Sequence, residues 1–296
     1  MSRLVDRAAL SGKVAAVLGG GYGIGTAITL ALAGEGVAVF IGDADEDSLE
    51  ATRGAAEALG VRAEAALCDV TEQGAVERFF AMVGEQAERL DIVVNVAGGT
   101  RRRRFEDGDA AQDVKDIQLN FGYVIQSVRA ALPLLRRSGE GASIVNFTTI
   151  EAHRGAATFS VYAGAKAATT NFSRAMAVEL GAENIRVNCI APDTTASRGN
   201  VEALDPDTIA KMMDLPDGVM TQGLEMYIPT KRAPTTDDLA DAVLFLTSGL
   251  SRSITGTTVH VDGGTSASLG FLDWAHGDGF VPTPLAGSAY RMFGEA

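Results

Sequence analysis

Apolar residues in this chain fall into short, nearly continuous runs, separated by longer stretches in which they recur every third or fourth position. The runs KVAAVL, VAVFIG, RAEAALC, DIVVNV, ASIVNF, IRVNCI and TTVHV have the length and composition of strands, and helical periodicity starts near Gly23, Asp45, Thr71, Ala111, Ser160 and Thr236. Regular alternation of the two predicts βα units around a parallel sheet. Strands that are apolar at almost every position are buried on both faces, so helices must lie above and below them. The expected fold is α/β: a doubly wound, mostly parallel seven-stranded sheet with helices on both faces. One domain should span residues 1–265, interrupted at about 193–233 by an insertion where prolines, glycines, Met212, Met213, Met220 and Met226 replace the alternation. The methionines suit either a flexible apolar lid over a bulky substrate or ordinary helix packing. Residues 266–296 form an extension with Phe271, Trp274 and Phe280 as apolar anchors, expected to pack on the active site or on a neighbouring subunit.

Composition narrows the class. At 296 residues and 46% hydrophobic content the chain can bury one large core. A net charge of -13 disfavours nucleic acid as a partner, despite four consecutive arginines from Arg101 to Arg104. No stretch approaches the roughly 18 apolar residues of a membrane span, and the first residues lack a secretory core, so a cytoplasmic protein is expected. Cys68 and Cys189 sit in apolar runs and should be reduced. His153, His260 and His276 show no ligand spacing, so no metal is expected.

The segment VAAVLGGGYGIGTAITLALAGEG places a strand, a glycine-rich turn and a helix in succession. Such a turn directs backbone N–H groups and the positive end of a helix at a phosphate. Asp43, twenty positions past Gly23 at the end of the second strand, can accept from both ribose hydroxyls of an adenosine and would repel a 2'-phosphate, which favours NAD over NADP. Asp45 is better placed than Asp43 to cap the following helix. Further on, SVYAGAK sets Tyr162 and Lys166 one helical turn apart on the same face. An adjacent cation stabilises a phenolate, so the pair is a candidate proton-transfer device.

Together, LGGGYGIG, CDVT, NVAG, Asn120 in QLNFGY, FTT, YAGAK, IRVNCIAP and ITGTTVHVDGG occur in the order of the short-chain dehydrogenase/reductase family, which the chain resembles from about Gly12 to Gly264. The resemblance implies a Rossmann-type fold, NAD as cofactor, and interconversion of a secondary alcohol and a ketone by hydride transfer. It implies a catalytic set of Asn120, Thr149, Tyr162 and Lys166, with Tyr162 as general acid/base, Asn120 holding a relay water, and Lys166 holding the nicotinamide ribose and lowering the tyrosine pKa. The implied cofactor contacts are Gly19, Gly21, Tyr22, Gly23, Ile24, Gly25 and Asp43 in the first half-fold. Asp69 and Val70 then meet the adenine, Asn95, Ala97 and Gly98 shape the floor, and Pro192, Thr194 and Thr195 lie near the carboxamide with Tyr162 and Lys166. The family also implies a homo-oligomer, a dimer or tetramer, acting on a small molecule. A bulky hydroxy compound of sterol or terpenoid type suits the insertion, whereas a 3-hydroxyacyl thioester suits the arginines. The competing reading is a non-catalytic NAD(H)-binding sensor or scaffold, which would have no need of Asn120, Tyr162 and Lys166.

Several positions depart from the family pattern. Thr149 replaces the usual serine thirteen residues before Tyr162, keeping a hydroxyl, and adjacent strand residues alternate, so only one of Thr148 and Thr149 faces the site. Leu18 and Val96 replace polar residues on neighbouring central strands, which suggests that apolar packing stands in for a polar cross-link. Asp193 follows Pro192 where the family has glycine, and Ser197 is an alternative to Thr194 and Thr195 for the carboxamide. Arg101 to Arg104 follow the cofactor floor, where anion capture, pairing with acidic groups of this chain or a partner subunit, and plain solvation are the open roles.

Overall fold

The computed structural model describes residues 3–195, 206–274 and 279–282. A short helix α1 (Arg3–Ala8) precedes the βα alternation: β1 (Val14–Leu18), α2 (Ile24–Gly34), β2 (Ala38–Asp43), α3 (Glu46–Ala58), β3 (Ala63–Leu67), α4 (Ala75–Gln86) and β4 (Ile92–Asn95). The second half runs through α5 (Ala110–Ile117), α6 (Tyr123–Leu135), β5 (Ala142–Phe147), α7 (Ser160–Leu180) and β6 (Ile185–Pro192). After it come α8 (Pro206–Met213), α9 (Val219–Tyr227), α10 (Thr236–Thr247), β7 (Thr258–Val261), α11 (Thr265–Ser268), β8 (Phe271–Trp274) and β9 (Gly279–Pro282).

Among the described residues, seven strands form one sheet in the order β3-β2-β1-β4-β5-β6-β7, every pair parallel. Alternate strand residues feed two cores. Ala16, Leu18, Phe40 and Val93 face α4 and α6, while Ala15, Val17, Ile41 and Val94 face α2, α3 and α10. This two-sided burial accounts for the continuous apolar runs. The strand order reverses between β1 and β4, so their carboxyl ends diverge and leave a crevice at that edge.

Differences from the sequence reading have local causes. Helix α4 starts at Ala75, not near Thr71, because the Thr71 N–H and hydroxyl both donate to Asp69 Oδ1, at 2.8 and 2.7 Å, and wind a turn first. The helix expected from Ala111 is broken after Ile117 by a π-helical turn, Gln118–Gly122, before α6 begins. Leu18 and Val96 do not replace one cross-link together: Leu18 is fully buried in the core facing α4, and Val96 packs on the opposite core. The insertion contains α8 and α9, with Met212, Met213 and Met220 exposed. The extension forms an antiparallel β8–β9 hairpin that contacts α9 of its own chain, with Lys231 bonded to Asp273 and its Nζ 4.8 Å from the Phe280 ring centre. Ser197 and His276 lie outside the described residues.

Candidate active site

A cleft of about 270 Å³ opens at the carboxyl edge between β1 and β4. The turn after β1 supplies Gly19, Tyr22, Gly23, Ile24 and Gly25 to its wall. A Cβ on Gly25 would lie 1.7 Å from the Gly19 carbonyl oxygen, and one on Gly19 would lie 2.5 Å from Ala97 N, so the turn closes against β1 and β4 only with glycines there. No side chain caps the N-terminus of α2 and its first turn has no acid, so its positive end faces the cleft unneutralised. Asp43 lines the opposite wall, its Oδ2 accepting the Gly21 N–H at 2.9 Å and its Oδ1 the Ala44 N–H at 2.8 Å. Gly21 therefore meets the cleft through Asp43. Asp69, Val70, Ala97 and Gly98 also line the cleft, joined by Ala44, Cys68, Val96 and Leu119. An elongated, phosphate-bearing dinucleotide fits this donor set, with the carboxylates of Asp43 and Asp69 at the adenosine end.

Beside the cleft, α7 presents Tyr162, half-buried, and Lys166, fully buried, from its first two turns. Lys166 Nζ donates to the Phe147 carbonyl at the end of β5 at 3.0 Å and lies 6.0 Å from the Tyr162 ring centre. A Cβ on Gly98 would sit 2.8 Å from Lys166 Nζ and 2.9 Å from Asn120 Oδ1, so glycine at that position lets β4, α7 and the π turn converge. Asn120 is clamped to the loop after β4: Oδ1 accepts the Gly99 N–H at 3.1 Å, and Nδ2 donates to the carbonyls of Gly99 and Asp116, both at 2.9 Å. Its own carbonyl accepts from the Thr169 hydroxyl at 2.9 Å. These bonds give the π turn its cause, since a side chain tied to another segment holds the backbone off α-helical register. Thr148 is turned into the sheet, donating to Ile190 O at 3.2 Å, and Thr149 is the hydroxyl on the Tyr162 side.

Residues 19–266 match the family described as enoyl-(acyl carrier protein) reductase. The chain is 37% identical over 254 residues to the short-chain reductase protein NovJ of Streptomyces niveus, covering 85% of this chain and 93% of that one. A solved 7α-hydroxysteroid dehydrogenase, complexed with NADH and 7-oxo glycochenodeoxycholic acid, matches with a TM-score of 0.78 and 28% identity over 89% of this chain and 98% of the other. The Pseudomonas aeruginosa RhlG/NADP active-site complex matches with a TM-score of 0.74 and 28% identity, covering 88% and 98%. The chain belongs to the short-chain dehydrogenase/reductase family. It is thus an oxidoreductase with the Rossmann-type fold of that family, and its relatives hold NADH or NADP.

Not every residue that the family resemblance implied reaches the cleft. Asn95 is fully buried on the α6 side of the sheet, where its Nδ2 donates to Asn146 Oδ1 at 2.8 Å and its Oδ1 accepts from the Ser127 hydroxyl at 2.7 Å. Asn146 continues the chain to Ser173 on α7 at 2.8 Å. In this short-chain dehydrogenase/reductase Asn95 belongs to a buried cross-sheet network, and Val96 takes its place at the cleft wall. Strand alternation carries that signal, since Val94 and Val96 share a face opposite to Asn95. Pro192, Thr194 and Thr195 are also absent from the cleft lining: Thr194 donates to Asp193 Oδ1 at 2.9 Å, and Thr195 is buried.

The expected lowering of the Tyr162 pKa by Lys166 is not what the chain alone produces. Burial pushes Tyr162 up to about 12, the Thr149 hydrogen bond opposes this, and the charge of Glu151 adds to it. Lys166 is itself pushed down to about 8 by burial, so it is a weakened cation whose ammonium is turned to a carbonyl. Thr149 does not hold its proton free either, because it donates to the Glu151 carboxylate.

Three of the four arginines have partners within the chain. Arg103 bonds Asp113 and Asp116 of α5, Arg104 pairs with Glu106, and Arg102 lies 5.7 Å from the Phe159 ring centre. Arg101 makes no ion pair among the described residues and lines, with Arg103 and Tyr162, a narrow crevice. Two histidines that are distant in sequence, His153 and His260, meet edge to face at 4.7 Å. Among the described residues no group of three His, Cys, Asp or Glu could hold a metal, and no helix is long and apolar enough to cross a membrane. Both cysteines are free and buried.

Proposed function

We propose that this protein is an NAD-dependent dehydrogenase that interconverts a secondary alcohol and a ketone, with Tyr162 as general acid/base. The observation that carries the reading is the convergence of Tyr162, Thr149, Lys166 and Asn120 beside the cleft, with Lys166 and Asn120 packed against Gly98 of its wall, which a binding module would not require. Gly19 to Gly25 and the N-terminus of α2 hold the pyrophosphate, Asp43 accepts from the adenosine ribose, and Lys166 takes the nicotinamide ribose. Bound there, the nicotinamide supplies or accepts the hydride. Tyr162 donates its proton to the ketone oxygen in reduction and, as phenolate, receives it from the alcohol in oxidation. Thr149 borders the place of that oxygen from the Tyr162 side. Asn120, immobilised by Gly99, keeps the relay side of the site in register.

The preference for NAD over NADP rests on Asp43, whose carboxylate occupies the ground a 2'-phosphate would need. The substrate is a bulky, largely neutral hydroxy compound of sterol or terpenoid type. Exposed Met212, Met213 and Met220 in the insertion support an adaptable apolar cover, and the internal pairing of Arg103 and Arg104 leaves them unsuited to capture an acyl-thioester anion. Exposed Val114 and Ile117 on α5 and Val178 on α7 support assembly into a cytoplasmic dimer or tetramer. The test is NADH formation over a panel of neutral and anionic secondary alcohols, with NADP in parallel. Oxidation of bulky neutral alcohols with NAD is the expected result. Absence of any turnover would favour the sensor reading, and a preference for anionic alcohols that Arg101→Gln abolishes would reassign the substrate.

A further inference from the structure

Two positions where this chain departs from the family pattern, Thr149 and Asp193, turn out to be the two ends of a single polar chain. Thr149 Oγ1 donates to the Glu151 carboxylate and accepts, weakly, the Glu151 N–H at 3.4 Å. The other Glu151 oxygen accepts from Arg154 Nη2 at 2.7 Å. Arg154 Nη1 donates to the Tyr227 hydroxyl at 2.9 Å, on the last residue of α9. Tyr227 donates to Asp193 Oδ2 at 2.6 Å, and the same oxygen accepts from the Thr265 hydroxyl at 2.7 Å. The chain therefore leaves the site at Thr149, crosses the helical turn Ile150–His153, meets the insertion at Tyr227, and ends where β6 and the segment after β7 come together.

A threonine hydroxyl has one proton and two lone pairs. With its proton committed to a carboxylate, it can only present lone pairs to its other neighbour. Serine in this position could satisfy Glu151 in several rotamers, whereas the β-branched threonine is stiff at χ1, so a partner on one side fixes what it offers on the other. The Glu151 side chain is only 17% exposed and its guanidinium partner 33%, so the pair is shielded more than a surface ion pair.

We propose that Glu151 is a positioning residue for this site: its carboxylate accepts the Thr149 proton and so turns the lone pairs of that hydroxyl toward Tyr162, and Tyr227 and Asp193 hold Arg154, and through it Glu151, from the insertion, so that docking of α9 sets the threonine. The proposal rests on reading Tyr162 and Thr149 as the reacting pair. The charged and titratable groups around Tyr162 are Lys166 on its own helix, Glu151 with Arg154 on the turn after β5, and Arg101, Arg103 and Asp116 around the crevice it lines. Of these, Glu151 is the one whose charge raises the phenol pKa directly.

The test is a spectrophotometric measurement of tyrosinate absorbance in the full chain at up to about pH 11, where the ionised fraction below the midpoint of about 12 gives the constant, with the Tyr162→Phe variant subtracted to isolate this residue. Glu151→Gln keeps the shape and removes the charge; it should increase the ionisation constant of Tyr162 about tenfold relative to wild type. Tyr227→Phe, remote from the reacting groups, should shift the same ionisation in the opposite direction by a smaller factor, because an Arg154 released from α9 neutralises the Glu151 charge less. An ionisation constant unchanged by Glu151→Gln overturns the role of Glu151. A constant moved by Glu151→Gln but not by Tyr227→Phe overturns the coupling to the insertion. Because no substrate is needed, either failure is separate from failure of the dehydrogenase reading, which would appear as full turnover by Tyr162→Phe.

Discussion

Lys166 donates to the carbonyl of Phe147 at 3.0 Å, so the ammonium that should face the nicotinamide ribose is also a buried cation holding α7 to the end of β5. Burial makes that position costly for its charged form.

Burial lowers Lys166 from 10.5 to about 8, so between those values the unfolded chain carries a proton that the folded chain has lost. Stability contributed by this residue therefore rises with pH from about 8 toward 10.5 and is lowest near neutrality. Lys166→Met should be more stable than wild type at neutral pH by on the order of 1 to 3 kcal/mol, with the gap closing toward pH 10.5. Thermal unfolding of both proteins across this range checks it; a gap constant with pH would show that the lysine is not held in the cation-disfavouring setting described.

Asp43 joins β2 to the glycine turn through Gly21. Asp43→Ser should weaken NAD binding roughly tenfold and narrow the difference between NAD and NADP. Isothermal titration with the two dinucleotides reads both effects. Tighter binding of NADP than NAD by wild type would contradict the assignment.

Asn95 serves the fold. Asn95→Leu removes the partner of Asn146 and Ser127 and should cost about 1 to 3 kcal/mol, with NAD affinity at saturating folded protein unchanged. Chemical denaturation alongside NAD titration separates the two. Lost NAD affinity in a variant of normal stability would return Asn95 to the cofactor floor.

Leu18 fills the space beneath Gly42 and beside Phe79. Leu18→Thr removes apolar volume and buries a hydroxyl, and should destabilise by about 2 to 4 kcal/mol. Adding Val96→Asn should not rescue it, because the two side chains lie on opposite faces of the sheet. A melting temperature restored in the double variant would contradict that placement.

The sheet was legible because burial on both faces writes itself into sequence as uninterrupted apolar runs; β5 begins and ends where its run does. The cofactor cleft was legible for the same kind of reason, since glycine at positions such as Gly19 and Gly25 is demanded by backbone contact. What stayed hidden depends on partners far away in sequence. The π turn at Gln118–Gly122 contains no helix breaker apart from Gly122 and owes its shape to Gly99 meeting Asn120. Glu151 reads as an ordinary loop acid until the fold brings Arg154 and Tyr227 to it. The sequence left capture of an anion, pairing with acidic groups and solvation open for the four arginines, and only the fold shows Arg103 bonded to Asp113 and Asp116, ten and thirteen residues on.

The central claim is that Tyr162 transfers the proton. Its most direct test is steady-state oxidation, with NAD, of the panel alcohol that wild type turns over best, measured for wild type and Tyr162→Phe. A loss in kcat/KM of at least roughly a hundredfold, with NAD binding unchanged, is the predicted result. Full turnover by Tyr162→Phe would contradict it.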